Sequence, residues 1–202
     1  MDGKDSKEGS LAAAAAGALV IDAPGEGLAA LFQAHHRRVY QAAYRVTGNA
    51  ADAEDVLGTV FLRLLRHGGT VEHPESYFHR AAVNVALDLI RSRSERGRVP
   101  LEDVESSLPA AAHLQPDEQL EAQELRACLR KGLARLSPKA AELFALRYFE
   151  GYTNPEIARL LGMSQITVSV SLHRSRRQLQ RYLRTHFRAA TGRPLGGERS
   201  RN

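Results

Sequence analysis

Apolar residues along this chain recur at three- and four-residue spacing, and no stretch alternates apolar and polar positions as a half-buried strand would. Leu28, Leu31, Phe32, His35, Val39, Ala42, Ala43 and Val46 mark one face of a first helix ending at Gly48. Asn49 is placed to cap a second helix over residues 50–66, with Val56, Val60, Leu62 and Leu65 among its apolar positions. Its first turn holds Asp52, Glu54 and Asp55, where carboxylates suit the positive end of the helix dipole, and Gly68-Gly69 breaks it. Pro74 opens a third, long helix in which Phe78, Ala82, Val85 and Leu89 recur, running out into Arg91, Arg93, Arg96 and Arg98. A fourth spans residues 117–136 and carries Leu125, Leu129 and Leu133 toward the segment that follows. The predicted fold class is all-α.

That following segment, residues 137–184, reads as a scaffold helix leading into a helix-turn-helix. Ser137 and Pro138 suit an N-cap and first-turn proline, and Gly151 sits where a left-handed residue would stop the helix. Thr153 and Glu156 form a capping-box pattern before a short helix carrying Ile157, Leu160 and Leu161 inward. Gly162 ends that helix, and Ser164 caps a last one with Val168, Leu172 and Leu179 in period. From His173 to Arg188 there are six arginines (Arg174, Arg176, Arg177, Arg181, Arg184, Arg188) and no acid. A helical hairpin with a solvated basic face would also be arginine-rich. Caps, glycine turn and charge in this order instead favour a helix that enters a major groove.

Charge divides the 202 residues, net +5 overall, into blocks. Residues 28–98 hold ten arginines against seven acids; residues 99–124 hold seven acids and no base; residues 125–188 hold thirteen lysines and arginines against three glutamates. With Pro100, Pro109 and Pro116, the middle block reads as a flexible acidic linker over residues 99–118. The expected organisation is a disordered tail (1–27), a first helical domain (28–98), that linker, a helix-turn-helix domain (119–188) and a basic tail (189–202). Leu11 to Ile21 is Ala-rich, but Asp2, Asp5 and Glu8 spoil a signal peptide's basic start, and no apolar run is long enough to span a membrane. The lone Cys128 reads as a small core residue.

No catalytic constellation is present. His35 and His36 are adjacent and cannot share a helix face for one metal, and Asp52 with Asp55 lacks a third ligand at convincing spacing. No phosphate-cradling glycine loop or nucleophile motif occurs. The expectation is a cytoplasmic non-enzyme without cofactor or metal.

Two motif sets narrow this further. Residues 52–62, DAEDVLGTVFL, resemble the "DAED-x-x-Q-x-x-F-L" signature in region two of the extracytoplasmic-function (ECF) class of bacterial RNA polymerase sigma factors. Tyr77 to Arg91 resembles that family's next helix; Leu136-Ser137-Pro138, the Tyr148–Thr153 run, Glu156-Ile157-Ala158, Gly162-Met163-Ser164, Thr167-Val168 and Leu172-His173-Arg174 resemble its region four. The resemblance implies a promoter-specificity subunit whose partners are core RNA polymerase and promoter DNA, a monomer when free, with an anti-sigma factor as a further partner left open. It assigns Asp52, Asp55, Phe61, Leu62 and Arg63 to core-polymerase binding, with Phe61 and Arg63 expected at the surface. It assigns Arg80, Asn84, Asp88 and Arg91 to the minus-ten element and Thr167, Arg174 and Arg177 to the minus-thirty-five element; Ser169 and Ser171, in the early turns of the last helix, and Arg181, one turn beyond Arg177, join the second set by position. Gly58, Thr59 and Tyr77 depart from the family's usual Gln, Glu and Trp, and Ser169 and Ser171 stand where Lys and Arg are common. The alternative reading is a dimeric helix-turn-helix repressor, which would need a self-complementary apolar helix that the pattern does not supply.

Overall fold

Gly48 turns the chain's first corner at φ +68°, a left-handed conformation that closes α1 (Glu26–Thr47) and starts α2 (Ala50–His67). The Asn49 side-chain oxygen accepts from the Asp52 backbone N–H at 2.9 Å, satisfying a first-turn donor of α2. Pro74 sits in the first turn of α3 (Pro74–Glu95), where its missing N–H removes no helical bond. The three helices close around Val39, Ala42, Ala43 and Val46 from α1, Val56, Val60, Phe61 and Leu64 from α2, and Phe78, Ala82, Val83 and Ala86 from α3, all buried. Phe78 is the centre of this packing. Its ring stacks at 4.7 Å on His35 and at 5.1 Å on Phe61, and truncating such a residue to Ala costs about 3–5 kcal/mol.

The computed structural model describes residues 19–21, 26–67, 69–71, 73–96 and 116–191. Within them, β1 (Leu19–Ile21) pairs antiparallel with β2 (Gly69–Val71), Leu19 opposite Val71 and Ile21 opposite Gly69. This ribbon departs from the sequence reading, which finds no strand and counts Leu19–Ile21 as tail. Three residues are too few for a period of two to declare itself. The fold class is all-α. The acidic stretch 97–115, most of the N-terminal tail and residues 192–202 lie outside the described residues. No helix among the described residues is long and apolar enough to cross a membrane.

The C-terminal lobe comprises α4 (Pro116–Ala134), α5 (Pro138–Tyr148), α6 (Asn154–Leu161) and α7 (Gln165–Thr191). Ser137 caps α5 through the Ala140 N–H, and Thr153 with Glu156 forms the complete capping box of α6. α7 buries Val168, Leu172, Ser175, Leu179 and Phe187 at three- and four-residue spacing. Gly132 brings α4 close to α7: a Cβ there would sit 2.9 Å from Leu179 Cδ2 and 3.0 Å from the Tyr182 ring.

Sequence reading joins the two domains through a flexible acidic linker and does not say whether they touch. In the structure they pack together, α4 and α5 lying on α3. The cause is local to α5, where six successive residues, Ala141 to Leu146, are all buried. A helix with buried residues on every side must be covered on every side, and α7 and α6 cover only part of it; α3 covers the rest.

Candidate nucleic-acid interface

α6 and α7 make the helix-turn-helix, fixed at its corner by Gly162 (φ +62°) and by the Asn154 amide donating to Ser169 Oγ at 3.0 Å. Ser164 starts α7, its Oγ accepting from the Thr167 N–H at 3.1 Å and lying 2.8 Å from Thr167 Oγ1. Opposite the buried face of α7, Arg174, Arg176, Arg177, Arg181 and Arg184 are all exposed. Arg174, Arg177 and Arg181, with Gln178, line one open groove. Ile166 and Val170 continue that stripe toward the helix start, the former 77% exposed.

Where the lobes meet, charged groups face one another. The Arg80 Nε donates to Glu142 Oε1 at 2.7 Å, Asn84 Nδ2 donates to the same oxygen at 3.0 Å, and Lys139 donates to Glu142 Oε2 at 3.0 Å. Burial opposes the charged form of Glu142, but these three donors more than offset it and hold the carboxyl below the usual range. Alongside, Arg45 donates to the buried Glu150 at 2.6 Å, and the Tyr152 hydroxyl lies 3.1 Å from His79 Nδ1. Burial lowers the His79 pKa against the pull of Glu150, so the imidazole is neutral near pH 7. Arg130 of α4 lies directly against Gly48, where an added Cβ would collide with its guanidinium.

The outer face of α2 exposes two large apolar side chains among its charged ones. Leu62 is 52% and Leu65 40% exposed. Asp55 and Arg63 are exposed beside them.

Comparison with known proteins identifies both lobes. The Sigma-70 region 2 family matches residues 31–96, and the Sigma-70, region 4 family matches residues 126–179. The ECF RNA polymerase sigma factor SigE of Mycolicibacterium smegmatis is 34% identical over 182 residues, spanning 84% of this chain and 68% of that protein. The ECF RNA polymerase sigma factor SigL of Mycobacterium tuberculosis is 32% identical over 155 residues, spanning 75% and 85%. This chain belongs to the ECF RNA polymerase sigma factors. Among solved structures, CnrH in complex with the cytosolic domain of CnrY is similar at 20% identity and a TM-score of 0.47, covering 87% of this chain and 97% of that one. The family is one of non-catalytic transcription initiation factors.

In this sigma factor the side chains named from sequence fall into different settings. Asp55, Leu62 and Arg63 are together on the open face of α2. Asp52 and Phe61 are not, which corrects the expectation for both. Asp52 is 3% exposed and binds Arg93 of α3, and burial pushes its carboxyl up against the pull of that arginine. Phe61, expected at the surface, is 6% exposed in the aromatic stack with Phe78. Phe61 belongs to the core of the lobe, and Asp52 faces Arg93 across α2 and α3. Arg80 and Asn84 are engaged with Glu142, whereas Asp88 is exposed and pairs with Arg91 at 3.2 Å. Thr167 and Ser169 have hydroxyls engaged within the motif, Ser171 is half-buried, and Arg174, Arg177 and Arg181 stand clear.

Sequence reading did not single out Glu142 and His79, nor the exposed Ile166 and Val170; it took Leu65 only as an apolar helix position and Glu150 and Tyr152 only as part of the region-four run. One signal was there for Glu142: an acid inside the apolar run of α5 must be paired if it is buried.

Proposed function

We propose that this sigma factor docks on core RNA polymerase through the outer face of α2, using Asp55, Leu62 and Arg63 with Leu65 beside them. It then presents Arg80, Asn84, Asp88 and Arg91 to a melted minus-ten element, and the exposed face of α7 to a duplex minus-thirty-five element. Acting with RNA polymerase places it in the cytoplasm, as a monomer until it meets the core enzyme. The observation that carries this reading is the exposed leucine pair of α2, on a helix whose other face is already filled by the core of its own lobe. Apolar surface of this kind, rimmed by charge, marks a protein-binding site. Support for the DNA half comes from the acid-free arginine stripe of α7, which suits a phosphate backbone and base edges.

The test is assembly and transcription. Mixed with core polymerase, the protein is expected to co-elute on gel filtration and to direct run-off transcription from selected promoters. Asp55→Arg and Leu62→Glu should each weaken co-elution at unchanged circular dichroism, since both side chains are exposed. Tight binding of promoter duplex by the isolated chain, with no response to core enzyme, would return the repressor reading.

A further inference from the structure

The early turns of α7 are the part of a recognition helix that reaches base edges, and in this chain two of their hydroxyls are already engaged within the motif. Thr167 is tied to Ser164 in the cap, and Ser169 accepts from Asn154. Besides Gln165, the exposed side chains of those turns that are not engaged in this way are aliphatic. Ile166 is 77% and Val170 43% exposed. They lie four apart, and continuing along the helix at spacings of four, three and four come Arg174, Arg177 and Arg181, so all five share one face.

We propose that Ile166 and Val170 read thymine, by packing against the C5 methyl groups that thymine alone of the four bases presents in the major groove. The inference rests on the assignment of α7 to duplex DNA and adds the base its first turns select. Charge complementarity commits the surface to this occupant. The same stripe that starts with two aliphatic side chains ends in three arginines with no acid beside them, which fits a phosphate-flanked groove. The division of labour follows from the order: aliphatic contact first, Arg174 within reach of a guanine edge next, and Arg177 and Arg181 along the backbone. Cytosine, which lacks the methyl group, is discriminated against at those positions without any hydrogen bond.

The experiment uses holoenzyme assembled from the full chain and core RNA polymerase. Duplexes with a randomised minus-thirty-five region are selected by binding, and each thymine of a selected duplex is then replaced singly by deoxyuridine, which removes the methyl and keeps every hydrogen-bonding group. At one or two positions the wild-type holoenzyme should bind the uracil duplex about three- to fivefold more weakly, the factor that burying one methyl-sized group corresponds to. Ile166→Ala and Val170→Ala should each bind the thymine and uracil duplexes equally at one of those positions. Both side chains are exposed, so circular dichroism should be unchanged. Arg174→Ala should weaken binding yet keep the thymine-to-uracil ratio. A wild-type protein that selects a defined sequence but treats thymine and uracil alike overturns the thymine reading and leaves the sigma reading intact. Selection of no sequence at all overturns both. Concentration-dependent self-association of the free chain that Ile166→Ala abolishes would assign the patch to a second copy and also overturn the proposal.

Discussion

In the N-terminal lobe the polar ends of Arg80 and Asn84 are spent on Glu142 of the other lobe, while in the C-terminal lobe Arg174, Arg177 and Arg181 stand exposed along α7. The two proposed DNA-reading sets of one molecule are thus in different states: two members of the first are engaged with the other lobe, and the second is bare. A carboxylate held by a guanidinium and an amide occupies donors that would otherwise face a phosphate or a base edge. The difference teaches that the two sets cannot be engaged by the same event. On the proposed reading, the α7 face is open to a duplex as it stands, whereas Arg80 and Asn84 would first have to leave Glu142 by a parting of the lobes.

The most direct way to break the comparison is Glu142→Lys. A third cation would then sit against Arg80 and Lys139 in a buried place, and losing a buried partner of this kind costs about 3–5 kcal/mol, discounted to about 2–3 because Arg80 is partly solvated. Small-angle scattering should show a larger radius, and urea melts a lower midpoint. An unchanged radius would mean that apolar contact alone holds the lobes.

A second prediction sharpens the bare side. Arg174→Ala should reduce holoenzyme affinity by about 1–3 kcal/mol and relax preference at one or two base pairs, whereas Arg181→Ala should weaken every sequence alike and flatten the salt slope by about one unit. Equal loss across all sequences for Arg174→Ala would make it a backbone contact.

The covered side has a pH signature. Glu142 has a folded-state pKa below its ordinary value, so its contribution is present above about pH 4.5 and is lost as pH falls through the lowered value. Asp52 has the opposite sign: its raised pKa gives a contribution present below the ordinary carboxylate range and lost as pH rises through the folded value. Acidification should therefore loosen the contact between lobes while sparing the Asp52 site, as followed by distance measurement between labels on α3 and α5. In Glu142→Gln the acid dependence of that distance should vanish, and a single-stranded minus-ten oligonucleotide should bind severalfold better, because less of the free chain is closed.

The smallest expected effect is a control. A Cβ at Gly58 meets no neighbour, so Gly58→Ala should stabilise α2 by up to about 1 kcal/mol and leave both DNA faces as they are. A shift in either would mean α2 communicates with them.

Legibility from sequence tracked the distance between partners. Asn49, Ser137 and the Thr153–Glu156 box act on backbone groups within three residues, and each was readable from local pattern. The two regions and their order came from motif resemblance, and the α7 stripe from charge. Phe61 and Leu62 show where this stops: both are apolar and adjacent in sequence, and only the packing of α1 and α3 decides that Phe61 turns in and Leu62 out. Asp52 suits a dipole-facing surface acid until Arg93, forty-one residues later, closes over it. Glu142 and Arg80 are sixty-two residues apart and on different lobes, so no local period could pair them.

α3 ends at Glu95 and α4 begins at Pro116, so the two lobes that meet through Arg80 and Glu142 are one covalent chain. Joined this way, they face each other at an effective concentration on the order of millimolar. At that concentration an association free energy of only about 4 kcal/mol suffices for half-closure, far less than two separate proteins would need at cellular abundance. A contact of that strength is a fixed property of each molecule. Dilution does not open it, but a competing surface can.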